Sequence, residues 1–180
     1  MIAEIGHFAL ILALVLSVVQ CVLPLVGAAR GIGSWMALAR TAAYANALFL
    51  TISFGTLAYS FYISDFTLLN VASNSNSLLP WFYKVAASWG SHEGSILFWA
   101  LMLTWWGFFV ALTSRKLPQE TVARVLGVMG FITAGFVAFM LFTSNPFLRL
   151  FPAAPEGADL NPLLQDPGMV FHPVSYTHLR

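Results

Sequence analysis

The sequence predicts an all-α polytopic membrane protein with four transmembrane helices, its N-terminus outside, and an interfacial helix in a long outer loop. Composition is the first observation behind this. Hydrophobic residues make up 59% of the 180 residues and charged residues only 8%, against roughly 45–50% and about 25% in an ordinary globular chain. A core of this length cannot hide so much apolar surface from water. The second observation is the placement of the few charges. The windows 8–29, 41–64, 94–114 and 125–148 contain no Asp, Glu, Lys or Arg, and each exceeds the roughly 20 apolar residues that span a hydrocarbon layer as a helix. The formal net charge of +1 gives nucleic acid no purchase. The partner of this surface is the lipid bilayer.

The first window follows Met1-Ile2-Ala3-Glu4, which has no basic residue. A secretory signal starts with basic residues and a shorter apolar run, so this window reads as a retained helix. It holds Cys21, the chain's single cysteine. One cysteine excludes an internal disulfide, dithiol exchange and a C-x-x-C-H haem attachment site in this chain. Cys21 reads as a small buried hydrophobe.

Gln20 in the first window and Asn46 in the second are the most polar interior residues, and no Asp, Glu, Lys, Arg or His lies between the window ends. Ion and proton pathways use intramembrane carboxylates, lysines or histidines. A haem held inside a four-helix bundle needs histidines there. All four histidines (His7, His92, His172 and His178) fall instead on the outer side, with none expected inside a helix.

The outer loop after the second window opens with Ser73-Asn74-Ser75-Asn76-Ser77, a low-complexity stretch expected to be a flexible turn. Leu78, Phe82, Val85 and Trp89 then recur at helical spacing, with Trp81 and Tyr83 beside them. This suits a helix lying among lipid headgroups, where Trp and Tyr are favoured. Such aromatics serve as a belt or as a platform under a flat apolar ligand.

Trp89-Gly90-Ser91-His92-Glu93-Gly94-Ser95-Ile96-Leu97-Phe98-Trp99 leads into the third window. On one continuous helix Trp89, His92 and Glu93 fall at i, i+3 and i+4 and share a face. His92 has the chemistry of a metal ligand or proton shuttle, and Glu93 gains from a helix N-terminus. The plainer alternative is that both only cap the helix or meet headgroups. In the fourth window Ala123, Gly127, Gly130, Ala134 and Ala138 line one face, which is how helices approach closely in lipid.

Arg30 and Arg40 after the first window, with Arg115, Lys116 and Arg124 after the third, outnumber Lys84, Arg149 and Arg180 on the other side. The positive-inside rule therefore places the N-terminus, the 65–93 loop and everything after Leu148 outside, which in a bacterial inner membrane is the periplasm.

The last segment reads Asp159-Leu160-Asn161-Pro162-Leu163-Leu164-Gln165-Asp166-Pro167-Gly168-Met169-Val170-Phe171-His172-Pro173. Its prolines fix an extended path with a tight Pro167-Gly168 turn and present His172 on a constrained loop. A solvated loop histidine is the alternative. Zinc-type and Walker-type spacings are absent.

The opening Met1-Ile2-Ala3-Glu4-Ile5-Gly6-His7-Phe8-Ala9-Leu10, the 89–99 segment and the 159–173 segment together resemble the CcmF/NrfE family of cytochrome c-type biogenesis haem lyases. The resemblance implies haem handling. A membrane complex of this kind receives haem from a periplasmic chaperone and, with other maturation subunits, attaches it to a C-x-x-C-H apocytochrome c. The family's "QDPG…HP" histidine is a haem-iron ligand, and His172 stands at that position. Trp89, His92 and Glu93 are carried over as candidate haem-binding residues, with no catalytic role assigned. Outer aromatics around Trp81 and Trp89 would lie near the porphyrin plane.

The chain departs from the family in lacking its WGxWWxWD motif and its further haem-ligating histidines. Residues 1–173 are accordingly expected to be the N-terminal part of a CcmF-like membrane domain. Residues 174–180 are unlike the family and read as the product of a truncated frame, so His178 carries no role. A chain with one such ligand is expected to bind haem weakly, without a six-coordinate iron. A non-catalytic membrane anchor or assembly subunit is the alternative function, and a small transporter subunit a more distant one.

Overall fold

The computed structural model describes residues 1–165, and these are all-helical apart from one isolated antiparallel bridge between Leu68 and Arg149. In chain order the helices are α1 (Ile2–Arg30), α2 (Gly33–Tyr62), α3 (Leu69–Asn74), α4 (Trp81–Gly90), α5 (His92–Thr113) and α6 (Gln119–Phe142), with short 3-10 turns at Ser114–Lys116 and Pro162–Gln165. Four of them, α1, α2, α5 with its 3-10 extension, and α6, are long and apolar enough to cross a membrane. The polytopic all-α class expected from composition is the class observed.

The helices overrun or sit off the charge-free windows, because a gap between charges does not mark where backbone hydrogen bonding stops. α1 starts at Ile2 and takes in Glu4 and His7. Arg40 lies two turns inside α2, where its Nη2 donates to the Ser114 carbonyl at the end of α5 (2.9 Å). The fourth window departs most. Its helix was expected over 125–148 but runs Gln119–Phe142. Pro118 precedes its first residue, and Asn145-Pro146 follow its end, as proline-flanked helices require.

α2 is the least apolar of the four, with a mean hydropathy of 1.2 against 2.7 for α1. It is also the helix that α1, α4, α5 and α6 all touch. A helix touched by four others turns more of its surface to protein, so polar side chains can sit on its inner side. Asn46, 1% exposed, uses that freedom. Its Nδ2 donates to Gln20 Oε1 of α1 (2.7 Å), Gln20 Nε2 donates to the Leu126 carbonyl of α6 (2.8 Å), and Ser17 Oγ lies 3.3 Å from Asn46 Oδ1. One chain of amides thus ties three helices at mid-bundle, and every polar head in it has a partner, as burial in hydrocarbon demands.

α1 and α6 meet where side chains are absent. A Cβ at Gly127 would stand 2.7 Å from Leu25 Cγ, and one at Gly130 would stand 3.0 Å from the Cys21 amide nitrogen. Ala123, Gly127 and Gly130 of the expected small-residue face are buried there. Further along, the buried line passes to Thr133, Val137 and Met140 instead of Ala134 and Ala138. Cys21 is a free thiol on this contact.

Candidate functional site

The connections at the two ends of the bundle differ in kind. At one end α1 turns into α2, and α5 into α6, through short links carrying Arg30, Arg115 and Lys116, with Gln119 Nε2 donating to the Gly33 carbonyl (3.0 Å). The acid at this end, Glu120, pairs with Arg124 one turn on (2.5 Å). At the other end lie His7, His92 and the acids Glu4, Asp65, Glu93, Glu156 and Asp159. That end is built from the start of α1, the 63–90 segment, the start of α5 and the 143–165 segment.

Arg149 stitches the histidine end together. Its guanidinium donates to Glu4 at the start of α1 and to Thr67 Oγ1, and stands 3.9 Å from Asp65 Oδ2. Thr67 Oγ1 in turn donates to Asp65 Oδ1 (2.6 Å). The backbone follows the same line, with Leu69 N–H donating to the Leu148 carbonyl and Leu150 N–H to the Thr67 carbonyl, each 2.9 Å.

The Ser73–Ser77 stretch is held by partners on both sides. Asn74 ends α3, Ser75 is fully buried, and Ser77 donates through its amide (2.9 Å) and hydroxyl (2.6 Å) to the two oxygens of Glu156. Asn76 Nδ2 donates to Asp159 (3.1 Å), and Ala158 N–H to the Ala72 carbonyl (2.7 Å). These bonds come from 79 or more residues away, so local composition suggested a flexible turn where long-range pairing fixes one. The Ser77 hydroxyl and amide hold the Glu156 carboxyl below the usual carboxylate range.

The 89–95 segment forms a corner between two helices. α4 ends at Gly90, and Ser91 adopts an extended conformation (φ −78°, ψ 156°) as the N-cap of α5, its Oγ accepting from Gly94 N–H (3.1 Å). A Cβ on Gly94 would lie 1.7 Å from the Ser88 carbonyl oxygen, so α4 and α5 cross with backbone against backbone. This break separates Trp89 from His92 and Glu93, and the three do not share one helical face. The signal was present in the sequence: a serine followed by an acid in the next turn is an N-cap pattern.

Trp89 is half-buried, with its ring centroid 6.2 Å from that of Phe98, which lies 5.4 Å from Phe54 of α2. Trp89 therefore anchors α4 on the bundle, while Trp81 and Phe82, stacked edge to face, form the exposed aromatic surface of α4. Glu93 is half-buried in the first turn of α5. His92 opens α5 and is exposed, with its Nδ1 3.1 Å from the Ser144 hydroxyl. His7 lies within α1, and its ring stacks on Phe147 (centroids 6.3 Å apart, planes at 13°). Two histidines thus sit in the terminal turns of helices, where none was expected. His172, together with His178, lies outside the described residues.

Sequence reasoning missed the element on which both imidazoles rest. The 143–147 turn supplies Ser144 to His92 and Phe147 to His7, and Asn145 Oδ1 braces it by accepting from Phe147 N–H (2.9 Å). The Asn145-Pro146 helix stop marks it as a turn. Its pairing with residues 52 positions away leaves no local pattern.

Fold and site together define a multi-pass helical membrane protein that presents imidazoles and aromatics on a braced polar face at one end of its bundle. Residues 89–177 match the family described as Cytochrome C assembly protein. Over 96% of its length the chain is 57% identical to the cytochrome c-type biogenesis protein CcmF of Pseudomonas aeruginosa and 50% identical to that of Escherichia coli K12. It is 46% identical, again over 96% of its length, to the cytochrome c-type biogenesis protein NrfE of Haemophilus influenzae. A solved structure of "Cytochrome c Heme Lyase CcmF" superposes with a TM-score of 0.77 at 27% identity, covering 82% of this chain and 25% of that one. The chain belongs to the CcmF/NrfE family of cytochrome c-type biogenesis proteins. It spans about a quarter of the length of the curated relatives it matches, 26% for the Pseudomonas aeruginosa protein and 27% for the other two.

Proposed function

We propose that this chain forms part of the membrane machinery of cytochrome c maturation, in a complex that takes haem from a periplasmic chaperone and attaches it to C-x-x-C-H apocytochrome c. The observation that carries this reading is the 57% identity to a CcmF across nearly the whole chain. In this reading the chain lies in a bacterial inner membrane. Its histidine end and N-terminus face the periplasm, the Arg30 and Lys116 end faces the cytoplasm, and α4 lies among the headgroups. The charge placement supports that orientation, with Arg30, Arg40, Arg115, Lys116 and Arg124 gathered at one end.

Haem is here the cargo. The donors among the described residues are single imidazoles, with no group of three metal-ligating side chains. That suits an iron already carrying four porphyrin nitrogens, which asks the protein for one or two axial ligands. His172 is assigned as an iron ligand and His92 as a second haem-facing imidazole. Glu93 is assigned to the polar edge beside His92, and Trp89 supports the aromatic surface that Trp81 and Phe82 continue. Bound haem supplies vinyl groups for thioether formation. The residues of this chain bind and orient it, and hold it at the membrane surface.

A second reading, a membrane anchor or assembly subunit without haem contact, is favoured by one observation: Ser91 and Gly94 of the 89–95 segment serve a helix corner. Substitutions at the positions of His172 and His92 in a full-length relative separate the two. With haem-stained cytochrome c as the readout, His172→Ala is expected to abolish maturation and His92→Ala to reduce it at least about tenfold. Unchanged maturation in both variants would leave the anchor reading standing.

A further inference from the structure

We infer that Ser144 is the positioning residue of His92: its hydroxyl accepts a hydrogen bond from His92 Nδ1–H, fixing the tautomer that leaves the Nε2 lone pair facing outward. The inference deepens the haem-facing role proposed for His92 and rests on it for its purpose, though its geometry stands apart from haem.

Three features support the assignment. The first is proximity. Ser144 Oγ lies 3.1 Å from His92 Nδ1, and the His92 ring is exposed, so Nδ1 is engaged by protein while the ring opens to the surroundings. The second is rigidity. Ser144 is 7% exposed, its amide donates to the Phe139 carbonyl at the end of α6 (3.2 Å), and the next two residues form the turn braced by Asn145 and capped by Phe147. A hydroxyl on a fixed turn holds a ring more firmly than one on a mobile loop. The third is the chemistry of the ring, which opens α5 as its first residue. A neutral ring has one N–H and one lone pair, and the partner of one nitrogen decides what the other presents. Imidazoles that bind iron or accept protons through Nε2 are held through Nδ1–H in this way.

The test uses the haem-free chain in lipid nanodiscs, with isotope-labelled histidine rings and a pH above the imidazole range. Ring nitrogen resonances, assigned by comparison with His92→Gln, report the tautomer of His92. The Nδ1–H form is expected to be favoured by about threefold, less than a whole hydrogen bond sustains, because a serine hydroxyl can also donate to a bare Nδ1. Ser144→Ala is expected to erase that bias, and Ser144→Thr, which keeps the hydroxyl, to restore it. A fold lost only through cavity formation at residue 144 would not discriminate between tautomers, so the Thr variant guards against that explanation. A dominant Nε2–H form in the parent chain would overturn the inference, as would an unchanged bias in Ser144→Ala. Haem titration of the same variants is the second readout. Ser144→Ala is expected to weaken binding by about tenfold and Ser144→Thr to recover it. His92→Ala judges the haem-facing role by itself: unchanged affinity there would remove that role while the tautomer result stood.

Discussion

Gly94 of α5 packs its Cα against the carbonyl oxygen of Ser88 in α4, so closely that a methyl group there would lie 1.7 Å from that oxygen. The obstacle is backbone, which cannot rotate aside as a side chain does. Gly94→Ala is therefore expected to cost about 1–3 kcal/mol or more, read as a lowered thermal midpoint in nanodiscs. Ser91→Ala removes only the N-cap bond to Gly94 N–H and is expected to cost about 1 kcal/mol. The larger loss belongs to the glycine if the corner is a backbone crossing. Equal losses would mean that the cap alone holds α5 in place.

The same corner shows which parts of this molecule were legible in its sequence. The membrane-crossing helices were, because lipid imposes a long uncharged stretch on any helix that crosses it. The ends were less so, since Glu4, Arg40 and Arg124 lie within about two turns of a helix start, where long side chains reach the interface without interrupting the backbone ladder. Ser91 was readable as a cap, and it rules out the shared helical face that Trp89, His92 and Glu93 would have on one helix. Ser144 beside His92, Glu156 beside Ser77 and Arg149 beside Glu4 were not legible. Each joins segments that only the folded bundle brings together, and polar loop residues carry no periodicity that names a distant partner.

Asn46 and Gln20 bond to each other at the centre of the bundle, and Gln20 also reaches the Leu126 carbonyl. Asn46→Leu leaves Gln20 Oε1 without its donor in a medium free of water. The expected loss is about 1–2 kcal/mol, within the range measured for hydrogen bonds between membrane helices. Gln20→Leu with Asn46→Leu together is expected to cost less than the two separately, by about 1 kcal/mol. A double-mutant cycle of unfolding free energies in mixed micelles measures this. Strict additivity would mean that the amides are satisfied independently.

Arg149 faces Glu4, Thr67 and Asp65 at once with its side chain 30% exposed. A planar fork of donors can serve several acceptors that a single ammonium cannot. Arg149→Lys is therefore expected to lose most of what Arg149→Ala loses, about 1–2 kcal/mol, with the destabilisation shrinking in high salt as the exposed Glu4 is screened. Thermal midpoints of both variants across a salt series supply the test, and full rescue by lysine would show that charge alone matters at this position.

Glu156 gives the histidine end a dependence on pH whose sign follows from its partners. The Ser77 hydroxyl and amide, then the Gly157 amide, favour the carboxylate and hold its pKa below the ordinary value. A lowered folded-state pKa means that the unfolded chain takes up its proton first as pH falls. The stabilising contribution is therefore whole above the ordinary carboxylate range, declines through that range, and is gone below the lowered pKa. Protonation also puts a hydrogen on one of the two oxygens that the Ser77 amide and hydroxyl use, and weakens the other as an acceptor. The Ser77 amide should therefore keep its hydrogen-exchange protection at neutral pH and lose it in acid, once the intrinsic exchange rate at each pH is divided out. Glu156→Gln should start with weaker protection and show no such step. Because His92 is braced from the separate 143–147 turn, the exchange protection of the Ser144 amide, which donates to the Phe139 carbonyl, should not follow the Glu156 transition. A coincident change at both sites would join the two segments into one cooperative unit at this end of the bundle.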